Sequence, residues 1–351
     1  MTRKAAIILA GGKGERFQSE PDIWQDKALA PLFGKPLLVH AVENVREVVD
    51  EIVVCVNNEK RKAQDAKVLE EYSLGNVKLV VDEKCDHLGG PLVGIFTGLK
   101  SVEADYCITL PGDMPLMQPK VAKYMFDKAK KALVVVPMWP NGRLETLNMV
   151  LQKPSALQIA QTLCQLERPR SDDLIRGALN VFFAATMGEI SSFDFELKSF
   201  VNINSREDLA KLQPRRVEGS VKENLHIKRG NLPTSELQQI QEAATLYKEH
   251  KLQEASIIFS ACASRLEKEN SLFWAAVSRE NEGKSLLSLS KQQNEPELSA
   301  EQAPEGKRAL LKAAVTYGLE AKMHEECCSV FLADRARSDK AWCEARANRL
   351  M

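Results

Sequence analysis

Neither sign of charge is in excess, since 48 lysines and arginines offset 48 aspartates and glutamates over 351 residues. A net charge of zero excludes a chain-wide basic coat for nucleic acid, while a local basic site stays open. Long apolar runs are also missing, with nothing near the 18 residues of a membrane span. The run Ala5 to Ala10 is six residues long and stops at Gly11-Gly12, so it reads as a strand rather than the core of a signal peptide. No Cys-x-x-Cys occurs among the eight cysteines, at 55, 85, 107, 164, 262, 327, 328 and 343. That spacing supports neither a zinc site nor a disulfide framework, and points to free thiols in a reducing cytoplasm. The five histidines (40, 87, 226, 250 and 324) form no cluster. What is present, 44% apolar and 27% charged residues, is the composition of a soluble globular chain. Its length is comfortable for two domains.

The stretch 1–213 alternates short apolar runs with longer amphipathic ones. Ala5–Ala10, Glu51–Val56, Val77–Val81, Tyr106–Leu110 and Ala132–Pro137 read as strands, and Leu37–Val48 as a helix. Continuous apolar runs mean strands covered on both faces. Strand and helix in alternation predict an α/β fold, a Rossmann-like and mostly parallel sheet. Such sheets bind ligands at the carboxyl ends of their strands. Pro214, Gly219, Gly230 and Pro233 punctuate 214–233, which reads as a linker or strap. From 234 to 351 strand-like runs vanish and helical spacing takes over. Helices are expected over 236–249, 252–266, 272–289, 307–323 and 325–335, with a last one from Ser338, and a polar loop over 291–306. Ala255, Phe259 and Cys262 follow a tyrosine-bearing helix and the turn Lys248-Glu249-His250-Lys251. This stretch resembles one tetratricopeptide-type hairpin, so the second domain reads as helical and repeat-like. A generic helical bundle fits the spacing equally well.

The strongest chemical signal is Leu9-Ala10-Gly11-Gly12-Lys13-Gly14-Glu15-Arg16, directly after a buried strand. Its glycines let backbone N–H groups approach a phosphate chain, and Lys13 and Arg16 add the charge a triphosphate needs. No Gly-Lys-Ser/Thr closes it, so it is not a P-loop, and its glycine spacing misses the dinucleotide fingerprint. Lys27 stands in Asp26-Lys27-Ala28-Leu29. Asp113, in Leu110-Pro111-Gly112-Asp113-Met114-Pro115, follows a buried strand on the ligand edge, where a hard oxygen donor suits Mg²⁺ bridging phosphates. An Asp turn is the plain structural alternative. Gly90-Pro91-Leu92-Val93-Gly94-Ile95 opens a helix toward the same edge, and Gly94 and Gly98 leave one helix face bare for close packing. Arg168-Pro169-Arg170 forms a basic loop suited to an acceptor phosphate, or a solvated entry to a helix capped by Ser171 or Asp172.

The glycine loop, Asp26-Lys27, Gly90–Ile95, Gly112–Pro115 and Phe200-Val201-Asn202-Ile203-Asn204 occur in the order found in the molybdenum cofactor guanylyltransferase family, which this chain resembles over about residues 4 to 213. The resemblance implies a nucleotidyltransferase fold and GTP as donor. It implies a molybdopterin-type cofactor as acceptor, and release of pyrophosphate to leave a guanine dinucleotide cofactor. Position by position, it implies GTP contacts from the backbone of Leu9, Ala10 and Gly11, beside Gly12, and from the Lys27 side chain. It implies a further nucleotide contact from Asp82, a base contact from Asn57 or Asn58, and both nucleotide and Mg²⁺ at Asp113. Asn202 or Asn204 would complete the metal or pterin site. The nucleophile is already an anionic phosphate, so no general base is needed, and catalysis reduces to alignment plus neutralisation of the leaving group, where Lys13, Arg16 and Mg²⁺ act.

Two features depart from the family pattern. In one, Gly112 stands where a cysteine is common; in the other, Phe17-Gln18 replaces the usual methionine-glycine pair and Ser19–Gln25 lengthens the loop before Lys27. Longer loops of this kind resemble those of sugar-phosphate nucleotidyltransferases. Another acceptor (phospholactate or a sugar phosphate) or CTP as donor is therefore the enzyme alternative, although Gly11-Gly12 favours guanine. A nucleotide-sensing interaction module is the alternative from a different class. The helical domain is expected to hold a protein partner or to mediate self-association, with no nucleic acid and no membrane involved.

Overall fold

The computed structural model describes residues 2–12, 26–85, 88–212, 217–292 and 296–349. It divides into two compact units, Met1–Lys228 and Arg229–Met351.

The first unit is an eight-stranded sheet with flanking helices. Its strands are β1 (Lys4–Leu9), β4 (Glu51–Val56), β5 (Lys78–Val81), β6 (Tyr106–Pro111), β7 (Val134–Met138), β8 (Val150–Gln152), β9 (Asn180–Ala185) and β10 (Leu225–Lys228). A separate two-stranded hairpin holds β2 (Pro31–Leu32) and β3 (Lys35–Pro36). Sheet order is β10-β9-β7-β8-β6-β1-β4-β5. β1 runs parallel to β4 and β6, β4 to β5 and β7 to β9, while β8 and β10 run antiparallel to their neighbours. The helices are α1 (Leu37–Val45), α2 (Glu59–Glu71), α3 (Pro91–Ser101), α4 (Pro119–Ala129), α5 (Lys153–Gln165), α6 (Ser171–Gly177), α7 (Ser191–Phe193) and α8 (Arg206–Lys211).

The apolar runs become central strands because they are buried on both faces. Ala5, Ala6, Ile7 and Ile8 of β1 are all fully buried. Helix α3 lies close on β1, and its glycines explain how. A Cβ on Gly98 would stand 2.3 Å from Ile7 Cγ2, and one on Gly94 3.0 Å from Leu9 Cδ2.

The stretch 214–233, expected to be a linker, supplies β10. Leu225-His226-Ile227-Lys228 alternates half-buried and exposed residues and pairs with β9 at the sheet edge. Four residues of alternation are too short a signature to stand out between glycines and prolines.

The second unit is all helical: α9 (Thr234–Lys248), α10 (Leu252–Lys268), α11 (Leu272–Gln292), α12 (Pro296–Glu326) and α13 (Val330–Asn348), each packed on the next in sequence. Leu237, Ile240, Ala255, Phe259, Cys262 and Leu266 are buried, as their spacing predicted. The expected polar loop over 291–306 is corrected in its larger part, since α12 begins at Pro296 and runs through Pro304. Proline at the first helical position loses no hydrogen bond, so Pro296 starts the helix instead of excluding it. The expected break between 323 and 325 is absent, and the turn falls between α12 and α13. Gly283 and Gly306 let α11 and α12 approach closely, since a Cβ on Gly283 would meet Gly306 O at 3.0 Å.

Candidate active site

Four parallel strands end at one edge of the sheet and deliver the site. β1 leads into Leu9–Gly12, β4 into Asn57, β5 into Asp82 and β6 into Asp113. Backbone bonds pin these ends together: Ala10 N donates to Cys55 O (2.9 Å), Asp82 N to Val56 O (2.7 Å) and Gly112 N to Leu9 O (2.9 Å). Helix α3 aims its N-terminus at the same place, adding its positive dipole end. The resulting cavity measures about 880 Å³.

Leu9, Ala10, Gly11, Gly12, Lys27, Asn57, Asp82, Asp113 and Asn204 all line it. Asn58 instead caps α2, its Oδ1 accepting from Arg61 N at 2.9 Å. Asn202 is exposed and does not line the cavity. Lys13 and Arg16 lie outside the described residues.

Lys27 is the hub. Asp26 accepts from Ala28 N through Oδ1 (3.0 Å) and starts a short 3₁₀ turn at Lys27–Leu29. Lys27 Nζ then donates to Asp113 Oδ2 at 2.9 Å and to Asn204 Oδ1 at 3.2 Å. Asn204 arrives because Ile203 N donates to Asp113 O at 2.9 Å, joining two loops 90 residues apart. The Lys27 and Asp113 side chains are only 12% and 29% exposed, so the pair is partly buried and fixes where both groups stand on the cavity wall.

Asp82 faces a different problem. Burial pushes its carboxyl up to about 6, and Oδ1 has no hydrogen-bond partner among the described residues. A Cβ on Gly11 would stand 3.1 Å from its Oδ2, so the second glycine-loop wall fits against this carboxylate only without a side chain. A buried, unfinished acceptor on a cavity wall is suited to a ligand N–H or O–H.

The basic loop at Arg168–Arg170 is committed internally. Arg168 Nε donates to Asp173 Oδ2 (2.8 Å), Arg176 Nη1 to Oδ1 (2.7 Å) and Arg170 Nη2 to Oδ1 (3.5 Å). Burial pushes the Asp173 carboxyl up, yet Arg168, Arg176 and Arg170 together hold it well below the ordinary range. Neither Ser171 nor Asp172 is the N-cap of α6, for Arg170 occupies that position and its side chain makes no capping bond. The loop instead packs on the cavity rim, where Gly90 adopts φ +115° and a Cβ would meet Pro169 O at 3.2 Å.

Arg61 and Asp65 were not anticipated. Glu59-Lys60-Arg61-Lys62 reads as a solvated helix start, yet Arg61, Asp65 and Leu69 are buried, spaced four apart on one face. That spacing was the available signal, masked by the charge. Arg61 pairs with Asp26 at 2.6 Å. Among the described residues nothing hydrogen-bonds either oxygen of Asp65, and its carboxyl is pushed up to about 7, first by burial and then by Asp26, with Arg61 opposing.

The MobA-like NTP transferase domain family matches residues 6–179. A probable molybdenum cofactor guanylyltransferase of Methanosarcina acetivorans is 32% identical over 207 residues, covering 59% of this chain and 88% of that protein. This chain belongs to the MobA-like NTP transferase family. A second relative of the same name, from Thermococcus kodakarensis, is 33% identical over 215 residues, 60% of this chain and 94% of that one. Among solved structures, molybdopterin-guanine dinucleotide biosynthesis protein A from Archaeoglobus fulgidus is 23% identical and covers 60% of this chain and 96% of its own, with a TM-score of 0.49. The family match lies wholly in the sheet unit and leaves the helical unit outside.

Proposed function

We propose that this chain transfers GMP from GTP to a molybdopterin-type molybdenum cofactor. A terminal phosphate oxygen of the acceptor attacks the α-phosphorus of GTP. The new P–O bond forms as the bond to the bridging oxygen breaks, and pyrophosphate leaves with that electron pair. The observation that carries this is the Lys27–Asp113–Asn204 cluster, set against the glycine turn in one cavity.

The donor set suits Mg²⁺. Asp113 and Asn204 present hard oxygens, and Mg²⁺ is ordinarily held by one or two protein oxygens plus substrate phosphates. Among the described residues no group of three or more His, Cys, Asp or Glu is placed to hold a metal ion. When bound, Mg²⁺ neutralises phosphate charge. The backbone of Leu9, Ala10, Gly11 and Gly12 cradles the phosphates, Lys27 orients them, and Asn57 and Asp82 accept or donate to the nucleoside. Lys13 and Arg16 are assigned to the leaving pyrophosphate on their place in the loop. The helical unit, outside the family match, is assigned to a protein partner or self-association. The location expected is the cytoplasm; among the described residues no helix is long and apolar enough to cross a membrane.

A donor screen tests the proposal. Purified protein with Mg²⁺ and the cofactor acceptor is offered GTP, CTP, ATP or UTP, and pyrophosphate is measured. Release from GTP supports it, and release from CTP alone rejects it. The lengthened loop Ser19–Gln25 favours one second reading, a different acceptor, which pyrophosphate release with a sugar phosphate but not the pterin would reveal.

A further inference from the structure

We infer that Arg61 is a positioning residue that locks the glycine cradle to the Lys27 turn, and that it supplies alignment of the bound nucleotide rather than affinity for it. The inference rests on the nucleotidyltransferase assignment above.

The geometry is that of a clamp. Arg61 sits in the first turn of α2, where the Asn58 cap holds its backbone. Its planar guanidinium points in two directions at once. Nε and Nη2 donate to the two oxygens of Asp26 at 2.6 and 2.9 Å, the fork-to-fork pairing that fixes orientation as well as distance. Nη1 donates to Gly12 O at 2.8 Å. Asp26 in turn holds Ala28 N, so the next residue, Lys27, leaves the chain in a fixed direction toward Asp113 and Asn204. One guanidinium thereby ties together two cavity walls: the end of the glycine turn and the lysine that orients phosphate.

Burial separates this from an ordinary surface pair. The Arg61 and Asp26 side chains are each only 3% exposed. Arg61 borders the cavity, yet the three donors named above go to protein oxygens. In a transfer whose nucleophile is already anionic, rate depends on the line between attacking oxygen, phosphorus and leaving oxygen. A misplacement of about 1 Å costs on the order of a hundredfold. Lysine at 61 keeps a charge for Asp26, but a point charge cannot hold Asp26 and Gly12 O together.

The test compares full-length wild type with Arg61→Lys and Arg61→Gln. With GTP and the pterin acceptor, kcat should fall about 10- to 100-fold in Arg61→Lys, while the GTP dissociation constant changes less than about threefold. A merely structural pair would lower the unfolding midpoint and leave kcat of the folded protein intact, and that result overturns the inference, as does an affinity loss equal to the rate loss. Hydrogen exchange without nucleotide gives a readout independent of turnover. Joint loss of protection at 10–12 and 27–30, with β4 unchanged, supports the clamp, and unchanged protection there overturns it. Wild-type protein that releases no pyrophosphate from any nucleotide rejects the transferase assignment, and the exchange result still decides the clamp.

Discussion

Arg279 in the helical unit and the pair Asp65 and Asp82 in the sheet unit handle buried charge in opposite ways. In the helical unit Arg279 is deeply buried and its guanidinium is filled, with Nε and Nη2 on Glu267, Nη1 on Glu282 and further bonds to Ser260 and Ser264. In the sheet unit Asp65 and Asp82 are withdrawn from water with carboxylate oxygens that bond to nothing among the described residues. Completed networks hold helices in register, whereas an unfinished carboxylate at a strand end, as at Asp82 on the cavity wall, keeps capacity for a ligand at the expense of stability.

The sharpest way to break this contrast is to remove one charge from each unit. Asp113→Ala should lower kcat about 10²–10⁴-fold with little change in unfolding midpoint. Arg279→Ala should leave turnover in place and cost about 1–3 kcal/mol in denaturant unfolding, because it strands Glu267 and Glu282. Should Arg279→Ala abolish turnover while the fold survives, the division into a chemical and a structural network is lost. Next in size is Gly98→Ala, which forces a methyl against Ile7 and should destabilise the sheet unit by about 1–3 kcal/mol. A shift below about 0.5 kcal/mol would mean that α3 moves off β1 freely.

The smallest effect is on pH. Asp65 and Asp82 have folded values raised above those of an unfolded chain, so the folded state binds more protons between about pH 4 and 7. Stability contributed by the protonated forms is therefore present at low pH and declines as pH rises through about 6 to 7. Asp65→Asn should flatten that decline when midpoints are compared at pH 5 and pH 8. An equally steep decline in the variant would assign the slope to other groups.

Legibility followed the same divide. β1, β4 and β6 were plain because a strand covered on both faces must be apolar throughout, and the glycine turn and Asp113 were plain because phosphate chemistry narrows the residue types. β8, β9 and β10 were not foreseen. β10 is an edge strand of four residues whose pairing is fixed by distant partners. α12 was hidden by Pro296 and Pro304, which read locally as loop residues but sit at a helix start and within a long, well-packed helix. At the site, Lys27, Asp82 and Asp113 followed from order along the chain, and Asn204 was separated from Asn202 only by the bond from Ile203 to Asp113. Arg61 stayed invisible because four consecutive charged residues look alike until a helix turns one of them inward.

The bond between Ile203 and Asp113 also sets a schedule for the newborn protein. A chain still on the ribosome, grown past its sixth strand, already holds the cradle and the acidic loop but lacks the amide that finishes them. Synthesis must pass residue 204 and clear the exit tunnel before the site closes, so a nascent or prematurely terminated product cannot engage nucleotide productively.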